Sequence, residues 1–489
     1  MMFGLTLRRV VIALVVLVLL SVAGGVFAYQ RFFREEPPPY FASDEEHFLF
    51  GSIGTEAQQG IPYWIWVVLP RVFPEHLPGP GGYASLGMLG KDGHEMPVGL
   101  SKATIGFPRV GINCAVCHTA SVRTHAGAVP MIVAGGPAHQ TGEQEYLRFL
   151  FACANDPRFT ADAILGEIAK NYRLSATDRM IYRFVVIPQT RRALLRLQAD
   201  DAWMTRNPAW GRGRIDPFNP VKFTVLKQPV DETIGNSDMV PLWNLREHTG
   251  YAYHWDGLNS DLREVVLSSA IGDGATTKWV DRDYSHWNDT DPKTMSSLRR
   301  VQNYISDVQP PKYPFPIEPI LAATGADVFR STCANCHAKG GARTGTVIPL
   351  AEIGTDRHRL DMWTPASAAA YNAYGNGHAW KFSHFVTGSG YVAVPLEGLW
   401  LRAPYLHNGS VPTLADLLAT AEARPRGFWR GYDVYDPVHV GFVSSGTEAE
   451  RKGTWFDTSL PGNSPAGHVY GAGLTPVQKQ ALIEYLKTF

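Results

Sequence analysis

The chain has 489 residues, which is long enough for two or three domains that each bury a core. Its 45 Lys and Arg balance its 45 Asp and Glu, and no long basic run occurs, so nothing in the composition suggests a nucleic-acid-binding surface or a polybasic membrane patch. The 35 prolines and 47 glycines are spread along the sequence, which predicts a globular protein with many irregular loops.

The N-terminus has the pattern of a membrane anchor. Arg8 and Arg9 precede an uncharged apolar run from Val10 to Tyr29, which is long enough to span a bilayer with its N-terminus inside. The run exceeds the roughly 7 to 15 residues of a cleaved signal core, although Val26–Ala28 is an alternative cleavage site that would release a soluble periplasmic or secreted protein. We expect an uncleaved anchor, a proline-rich spacer at 35–39, and a catalytic part at the periplasmic face of the bacterial inner membrane.

Two stretches, "GINCAVCHTASVRT" and "STCANCHAKG", each place two cysteines three residues apart with a histidine immediately after. The six residues are Cys114, Cys117 and His118 in the first stretch and Cys333, Cys336 and His337 in the second. This spacing is the attachment signature of c-type haem, because two thiols on one turn bond the vinyl groups while the next imidazole reaches the iron. Zinc sites, thioredoxin-like pairs and disulfides give no reason for the adjacent histidine. We predict two covalently bound haems and a small buried role for the remaining Cys153.

Between the first motif and the middle of the chain the sequence is largely helical. "FTADAILGEIAKNY" and "PQTRRALLRLQADDAW" carry apolar residues at helical spacing, which predicts a helical insertion or wall over about 119–230. The stretch "QPPKYPFPIEP" holds five prolines and marks a domain boundary. The predicted parts are an anchor and spacer at 1–40, an N-terminal haem domain at 41–308, a linker at 309–319, and a C-terminal haem domain at 320–489.

The C-terminal part has the pattern of a small cytochrome c. A short helix, "TGADVFRSTC", precedes the second motif, and "LTPVQKQALIEYLKTF" closes the chain with Thr475 as a natural N-cap and Pro476 in the first helical position. The predicted buried face of this last helix consists of Leu482, Ile483, Leu486 and Phe489. The fold class that we predict is mainly α, with two cytochrome c-like haem domains, long loops and a helical insertion.

The second axial ligand of each iron decides function, because a filled position favours electron transfer and an open one binds oxygen or peroxide. No methionine follows Met362, so histidine is the remaining strong ligand for the C-terminal haem. The histidines after the motif are His358, His378, His384, His407, His439 and His468. We favour His468, which lies in a glycine-containing loop before the last helix, with His407 as the alternative. His94 and Met96 are candidates at the N-terminal haem, where we favour an open or water-filled position.

The stretches "YHWDGLNSDLREVV" and "LWLRAPYLHNGSVPTLADLL", together with the two haem motifs, resemble the bacterial dihaem cytochrome c peroxidases and their relatives, including the haem rubber oxygenases. The resemblance extends from about residue 110 to the end of the chain. It implies that the N-terminal haem is the reactive centre and that the C-terminal haem relays electrons. It also implies that Trp255, which precedes Asp-Gly, lies between the haems and assists electron transfer.

Departures from the peroxidase pattern shift the resemblance towards the rubber oxygenases. The positions of the peroxidases' distal Gln and Glu hold Val265 and Ala275, and Glu232 lies near the place of their switchable histidine. Peroxide cleavage needs a general acid and base, so we name Glu232 as a catalytic candidate, with His248 or His254 as substitutes. The expected apolar distal wall consists of Val265, Val266, Leu267 and Ala270. Ala421 stands where the peroxidases' ligand methionine would be, which agrees with bis-histidine ligation through His468.

We therefore predict an oxidoreductase that activates peroxide or dioxygen at the N-terminal haem. The alternatives are a non-enzymatic periplasmic electron-transfer cytochrome, and a redox sensor or assembly partner in which the haems bias a conformational change. The expected partners are a periplasmic electron donor or acceptor protein, a hydrophobic small-molecule substrate and the inner membrane, with no nucleic acid. The resemblance also implies a calcium ion between the haem domains, but no acidic loop has the ligand spacing that would support one.

Overall fold

The computed structural model describes residues 2–489, and side chains from residue 7 onwards. Helix makes up 43% of the chain and strand 11%. The helical content agrees with the predicted class, but the chain also forms small antiparallel sheets that the class did not include. The first helix, α1 (Met2–Phe32), contains an apolar window from Leu7 to Phe32, and the most apolar 18-residue stretch of this window has a mean hydropathy of 3.0 and no buried residue. By length and composition α1 is a membrane anchor or a signal sequence.

Nine helices follow before the proline-rich segment. They are α2 (Asp44–Phe50), α3 (Tyr63–Val72), α4 (Glu143–Asn155), α5 (Ala161–Asn171), α6 (Ala176–Ile181), α7 (Ile187–Asp200), α8 (Leu262–Gly272), α9 (Thr277–Tyr284) and α10 (Ser297–Asp307). The π-helical turn Tyr182–Val186 joins α6 to α7. A second π-helical turn, Val221–Val225, precedes the central loops. The two helices predicted within 119–230 are confirmed as α5 and α7. Thr160 caps α5 by accepting the Ala163 amide, as expected of a hydroxyl before a helix.

Eight helices lie in the C-terminal half. They are α11 (Pro319–Thr332), α12 (Ala334–His337), α13 (Leu350–Ile353), α14 (His358–Met362), α15 (Pro365–Tyr374), α16 (Leu414–Leu417), α17 (Thr447–Lys452) and α18 (Pro476–Leu486). The predicted start of α18 is confirmed, because Thr475 and Gln478 form a capping box ahead of Pro476. Helices α11 and α18 cross at Gly325, where a Cβ would meet the Ala481 carbonyl.

The strands are short and all pairs are antiparallel. The largest sheet has the order β1 (Ile61–Pro62), β3 (Phe107–Ile112), β2 (Leu100–Ile105). The two-stranded ribbons pair β4 (Thr119–Val122) with β5 (Met131–Ala134), β6 (Arg214–Ile215) with β7 (Ser237–Asp238), β8 (Val347–Pro349) with β9 (Gly390–Val392), β10 (Gly427–Arg430) with β13 (Thr454–Asp457), and β11 (Tyr435–Asp436) with β12 (Gly441–Phe442). These ribbons fix the ends of long loops without forming a continuous sheet.

The two hydrophobic cores do not follow the order of the chain. The larger core contains apolar side chains from α2 to α10, and it also contains Met362, Trp363, Tyr371, Trp380, Phe382 and Phe385 from beyond the proline-rich segment. The second core surrounds α11 and α18 and includes Ala120, Val122, Val133 and Trp243 from the N-terminal half. Each half of the chain therefore completes the core of the other.

Candidate functional site

The first Cys-x-x-Cys-His motif lines a cavity of about 610 Å³. Strand β3 ends at Ile112, and the side chain of Asn113 accepts the Ala115 amide while its own amide nitrogen donates to the Gly51 carbonyl. These bonds hold the tight turn that carries Cys114 and Cys117 at the cavity wall. A cavity of this size is in the range of small-molecule and cofactor sites.

His118 also lines the cavity, in a form suited to binding a metal. Its Nδ1 donates to the Val240 carbonyl at 2.8 Å, which leaves Nε2 as the free nitrogen. Burial lowers the pKa of His118 to about 4, so the ring is neutral at pH 7. A neutral imidazole whose other nitrogen is fixed by a carbonyl is the usual arrangement of a protein metal ligand.

The second motif follows α11 directly. Cys333 is the C-cap of α11, and Cys336 and His337 lie in the short helix α12. The Nδ1 of His337 donates to the Val394 carbonyl at 2.8 Å, so this histidine is held in the same way as the first. Its ring centroid lies 6.1 Å from that of His468.

The two facing rings leave room for one metal ion between their nitrogens, since each metal–nitrogen bond takes about 2.0 Å. His468 follows Gly467 in a turn in which both residues have positive φ, and its amide donates to the Ile353 carbonyl at 2.8 Å. Arg424 donates to the carbonyls of Pro465, Gly467 and His468. The Nδ1 of His468 is buried without a hydrogen-bond partner among the described residues, and His337 and His468 together would supply two imidazole nitrogens to a haem iron.

The other histidines that follow the second motif have different neighbours. The ring of His407, the alternative ligand, stacks on Tyr391 at 3.8 Å. His358, His378, His384 and His439 lie within hydrogen-bond distance of Asp356, Asp281, Glu264 and Asp436, respectively. Of the six candidates, the structure pairs His468 with His337.

Trp255 lines the same cavity as His118 and is hydrogen-bonded to two separate backbone segments. Its indole N–H donates to the Asp238 carbonyl at 2.7 Å. Its own carbonyl accepts the Val392 amide at 2.8 Å. One tryptophan therefore joins the end of β7 to the end of β9.

These two segments are the ones that hold the motif histidines. Two residues further along the first segment, Val240 accepts the hydrogen bond of His118. Two residues further along the second segment, Val394 accepts that of His337. A short path of covalent and hydrogen bonds thus runs from one motif histidine through Trp255 to the other.

The expected distal wall is present in part. Val265 and Val266 of α8 line the cavity, as does Ala275, while Leu267 and Ala270 are buried in the larger core. Glu232, the predicted catalytic carboxylate, is exposed and lies outside the lining residues. The loop after Asp231 directs it to solvent, so the structure does not bring Glu232 to His118.

The cavity is also lined, beside the first motif, by two carboxylates that were not predicted from the sequence. Glu143, at the start of α4, lies within hydrogen-bond distance of the Cys117 sulfur, and Asp273 follows the end of α8. Burial, and secondarily the charge of Glu143, raises the pKa of Asp273 to about 8. Asp273 lies two residues before Ala275, so the only sequence signal was an acid close to the position of the peroxidases' distal Glu.

The candidates upstream of the first motif lie elsewhere. His94 stacks on Phe50 at 3.9 Å, and Met96 is buried in the larger core. Neither residue is among those that line the cavity. His248 and His254 do line it, and the buried Nε2 of His254 has no hydrogen-bond partner among the described residues.

The helical insertion forms a wall of the cavity. Its contribution comes from α4, α7 and the loop and π-helical turn that follow: Glu143, Leu147, Leu197, Asp201, Met204, Trp210, Phe218, Val221 and Val225. Most of these side chains are apolar. The insertion therefore shapes the space next to His118.

Comparison with known proteins identifies part of the second half. Residues 390–430 match the family model described as RoxA-like, cytochrome c-like. The matched segment contains the strands β9 and β10 and His407. The chain thus contains a cytochrome c-like domain, which implies binding of c-type haem, and the match supports the rubber-oxygenase-like side of the resemblance.

Two curated relatives come from Sinorhizobium fredii. The chain is 25% identical to the uncharacterized protein y4iJ over 78% of this chain and 76% of that protein. It is 32% identical to the uncharacterized protein y4iM over 34% of this chain, and the alignment spans 45% of that relative's own length. Neither name assigns an activity.

Proposed function

We propose that the protein is a dihaem c-type cytochrome oxidoreductase that activates dioxygen or peroxide at the His118 site, with the His337 site as the electron relay. The observation that carries this proposal is the difference between the two sites. His337 faces a second imidazole, that of His468, whereas His118 faces a large cavity. When bound, the two haems supply redox and oxygen-binding chemistry.

The residues of the chain that hold, connect and enclose the two sites contribute three roles to this proposal. His118 and His337 would hold the irons through their Nε2 atoms, because the carbonyls of Val240 and Val394 accept hydrogen bonds from Nδ1. Trp255 connects the two holding segments. Val265 and the apolar wall of the insertion exclude water and suit a hydrophobic substrate.

Asp273 holds the proton that oxygen chemistry requires. Its raised pKa keeps it protonated at pH 7, and it lines the cavity near the first motif. A buried acid whose pKa is close to the working pH is suited to general acid catalysis. We propose Asp273 as the general acid, the role that the sequence predicted for Glu232, because Glu232 is exposed and points away from the cavity.

We further propose that α1 stays uncleaved and holds the protein at the periplasmic face of the inner membrane, where a periplasmic redox protein exchanges electrons with it. The apolar window of α1 is unburied along its length, as a lipid-facing helix requires. The orientation follows from the basic pair near the start of the window, Arg8 and Arg9.

Electron paramagnetic resonance of the oxidised protein, matured in a host that attaches c-type haem, tests the proposal. We expect one low-spin signal, altered by His468→Ala, and one high-spin signal that changes on addition of peroxide or of a small anionic ligand. Two low-spin signals that ignore both additions would favour the non-enzymatic electron-transfer cytochrome. Oxygen uptake with an unsaturated hydrocarbon, compared with peroxide loss in the presence of a reduced donor cytochrome, then separates the oxygenase from the peroxidase.

A further inference from the structure

The C-terminal end of α1 is fastened to the turn between β2 and β3. The Gly106 amide donates to the Arg34 carbonyl at 2.7 Å, and the Glu36 amide donates to the Thr104 carbonyl at 3.0 Å. Gly106 has a φ of +70°, and a Cβ there would collide with the Arg31 carbonyl. The end of the apolar helix is therefore docked on the protein surface at a defined place.

Helix α6 lies beside this docking point. Asp178 of α6 forms an ion pair with Arg31, one residue before the apolar window ends. One turn further on, Tyr182 is buried and packs against Phe107 of the β2–β3 hairpin, with ring centroids 6.2 Å apart. Asp178 and Tyr182 are four residues apart, so both use the face of the helix that is turned towards the protein.

The opposite face of the same segment is apolar and exposed. Met180 is 63% exposed, Phe184 69% and Val185 40%. Met180 and Phe184 are again four residues apart, and Arg179 beside them is exposed and forms no ion pair among the described residues. Single exposed apolar residues are ordinary in soluble proteins, but a cluster of large ones held at the end of a membrane helix indicates a covered surface.

We propose that this segment, the collar (Met180, Phe184 and Val185 with Arg179), rests in the interface of a phospholipid bilayer with anionic headgroups. The ion pair between Asp178 and Arg31 holds the collar at the depth where the apolar window of α1 ends. The collar therefore faces the surface of the membrane that α1 enters. Apolar side chains that enter the headgroup boundary beside an arginine are typical of interfacial helices. The exposed Tyr29 and Phe33 add the aromatic groups that favour the same depth.

The collar gives the helical insertion a second role besides lining the cavity. The collar residues lie within one short segment, 179–185, and folding places this segment next to α1. This inference rests on the proposed retention of α1, because a released protein would have no membrane at this level. The experiment must therefore report on α1 and on the collar separately.

Environment-sensitive fluorophores on introduced cysteines make that separation. Full-length protein with Val18→Cys, Phe184→Cys or Val438→Cys is labelled and reconstituted into vesicles of phosphatidylcholine and phosphatidylglycerol with brominated acyl chains. Val18 lies in α1, Phe184 in the collar, and Val438, which is 72% exposed, serves as the control on the far half of the chain. The native Cys153 is fully buried and does not compete for the label.

We expect blue-shifted, bromine-quenched emission at positions 18 and 184 and unquenched emission at 438. Quenching at 18 combined with water-like emission at 184 would overturn the collar and leave the anchor intact. Unquenched emission at 18 and 184 would overturn both the retained anchor and the collar. Unchanged haem absorbance of each labelled variant confirms that it has folded and that the readout concerns the surface alone.

Discussion

His468 is the residue that makes the His337 site different from the His118 site. Its ring faces that of His337 at 6.1 Å, and burial lowers its pKa to about 4, which keeps it neutral. We expect His468→Met to raise the reduction potential of one of the two haems, because a methionine–histidine pair favours the reduced iron more than two histidines do. Potentiometric titration of the visible absorbance measures the shift.

The matched controls for this substitution are two other histidines of the same half. His439 is exposed and within hydrogen-bond distance of Asp436, so His439→Met should leave both potentials unchanged. His407 is buried against Tyr391. If His407→Met moved the potential and His468→Met did not, the ligand assignment would pass to His407.

Asp273 is expected to govern the alkaline side of the pH profile. Burial first, and then the charge of Glu143, raises its pKa to about 8, so the acid is protonated at neutral pH and ionises above that value. Turnover should fall as the pH rises through about 8. Asp273→Asn should lower turnover by about 100-fold and remove this limb, because general acid catalysis contributes about that factor. Asp201→Asn, at another partly buried acid of the cavity, should keep the limb.

The same raised pKa predicts how stability depends on pH. The unfolded chain releases the Asp273 proton near pH 4, whereas the folded protein retains it up to about pH 8. The folded state therefore binds more protons in this window, and its free energy of unfolding declines as the pH rises through it. Asp273→Asn should flatten that decline in denaturant titrations at several pH values, and an unchanged slope would contradict the raised pKa.

At the scale of elements, Trp255 joins the ends of β7 and β9. Trp255→Phe keeps an aromatic ring but removes the N–H that donates to the Asp238 carbonyl. We expect slower electron transfer between the two haems with both spectra unchanged, since the holding segments remain and one bridge between them is lost. Flash reduction followed at the two haems gives the rate. Trp363→Phe, at a buried tryptophan outside the cavity lining, is the control, and an equal rate in both variants would exclude the bridge.

The crossing of α11 and α18 depends on a residue without a side chain. A Cβ at Gly325 would meet the Ala481 carbonyl and the Cβ of Tyr485. Gly325→Val should therefore lower the free energy of unfolding by about 1 to 3 kcal/mol, the usual cost of overpacking a close contact. Ala323→Val, at an exposed position of the same helix, should change it by no more than about 0.5 kcal/mol. Denaturant titration of the haem-containing protein measures both, and equal effects would show that the crossing tolerates a side chain.

Features that depend on neighbouring residues were predictable from the sequence. The capping box at Thr475 and the start of α18 are local, and so is the spacing of each Cys-x-x-Cys-His motif. The position of Asp273 beside the first motif was not predictable, because it depends on the packing of α8 over a cavity. Glu232 was expected near the reactive site by alignment along the chain, but the loop after Asp231 turns it outward. The pairing of His468 with His337 is a long-range contact, which the sequence indicated through the lack of a later methionine, the glycine-containing loop around His468 and the resemblance to the rubber oxygenases.

For the whole molecule, the main consequence is that the two halves depend on each other. Side chains of the segment from Met362 to Phe385 pack into the larger core. Side chains of the N-terminal half pack into the second core, namely Ala120, Val122, Val133 and Trp243. Sequence composition placed a boundary at 309–319, since prolines interrupt regular structure there. Prolines restrict only the local backbone, however. They do not indicate which hydrophobic core the residues after them pack into.

Glu264 holds the two halves together at one point. It is fully buried in α8, and its carboxylate accepts hydrogen bonds from the Asn259 amide, from the backbone and hydroxyl of Ser383 and from the backbone and ring of His384. The saturated carboxylate fastens the 383–384 loop and has little capacity left for a cation. In a glutamine at this position, one carboxylate oxygen is replaced by an NH₂ group. This group donates hydrogen bonds, and it would face the donors that the carboxylate oxygen accepts from.

Glu264→Gln should therefore weaken the whole protein and not one half of it. We expect the free energy of unfolding to fall by about 1 to 3 kcal/mol, the cost of leaving buried donors unpaired. Because the cores are shared, the absorbance changes of the two haems should move to lower denaturant concentration together, as coincident transitions require. Glu422→Gln, at an exposed position, should leave both transitions in place. A shift at one haem alone would show that the halves unfold independently, in spite of the side chains that they exchange.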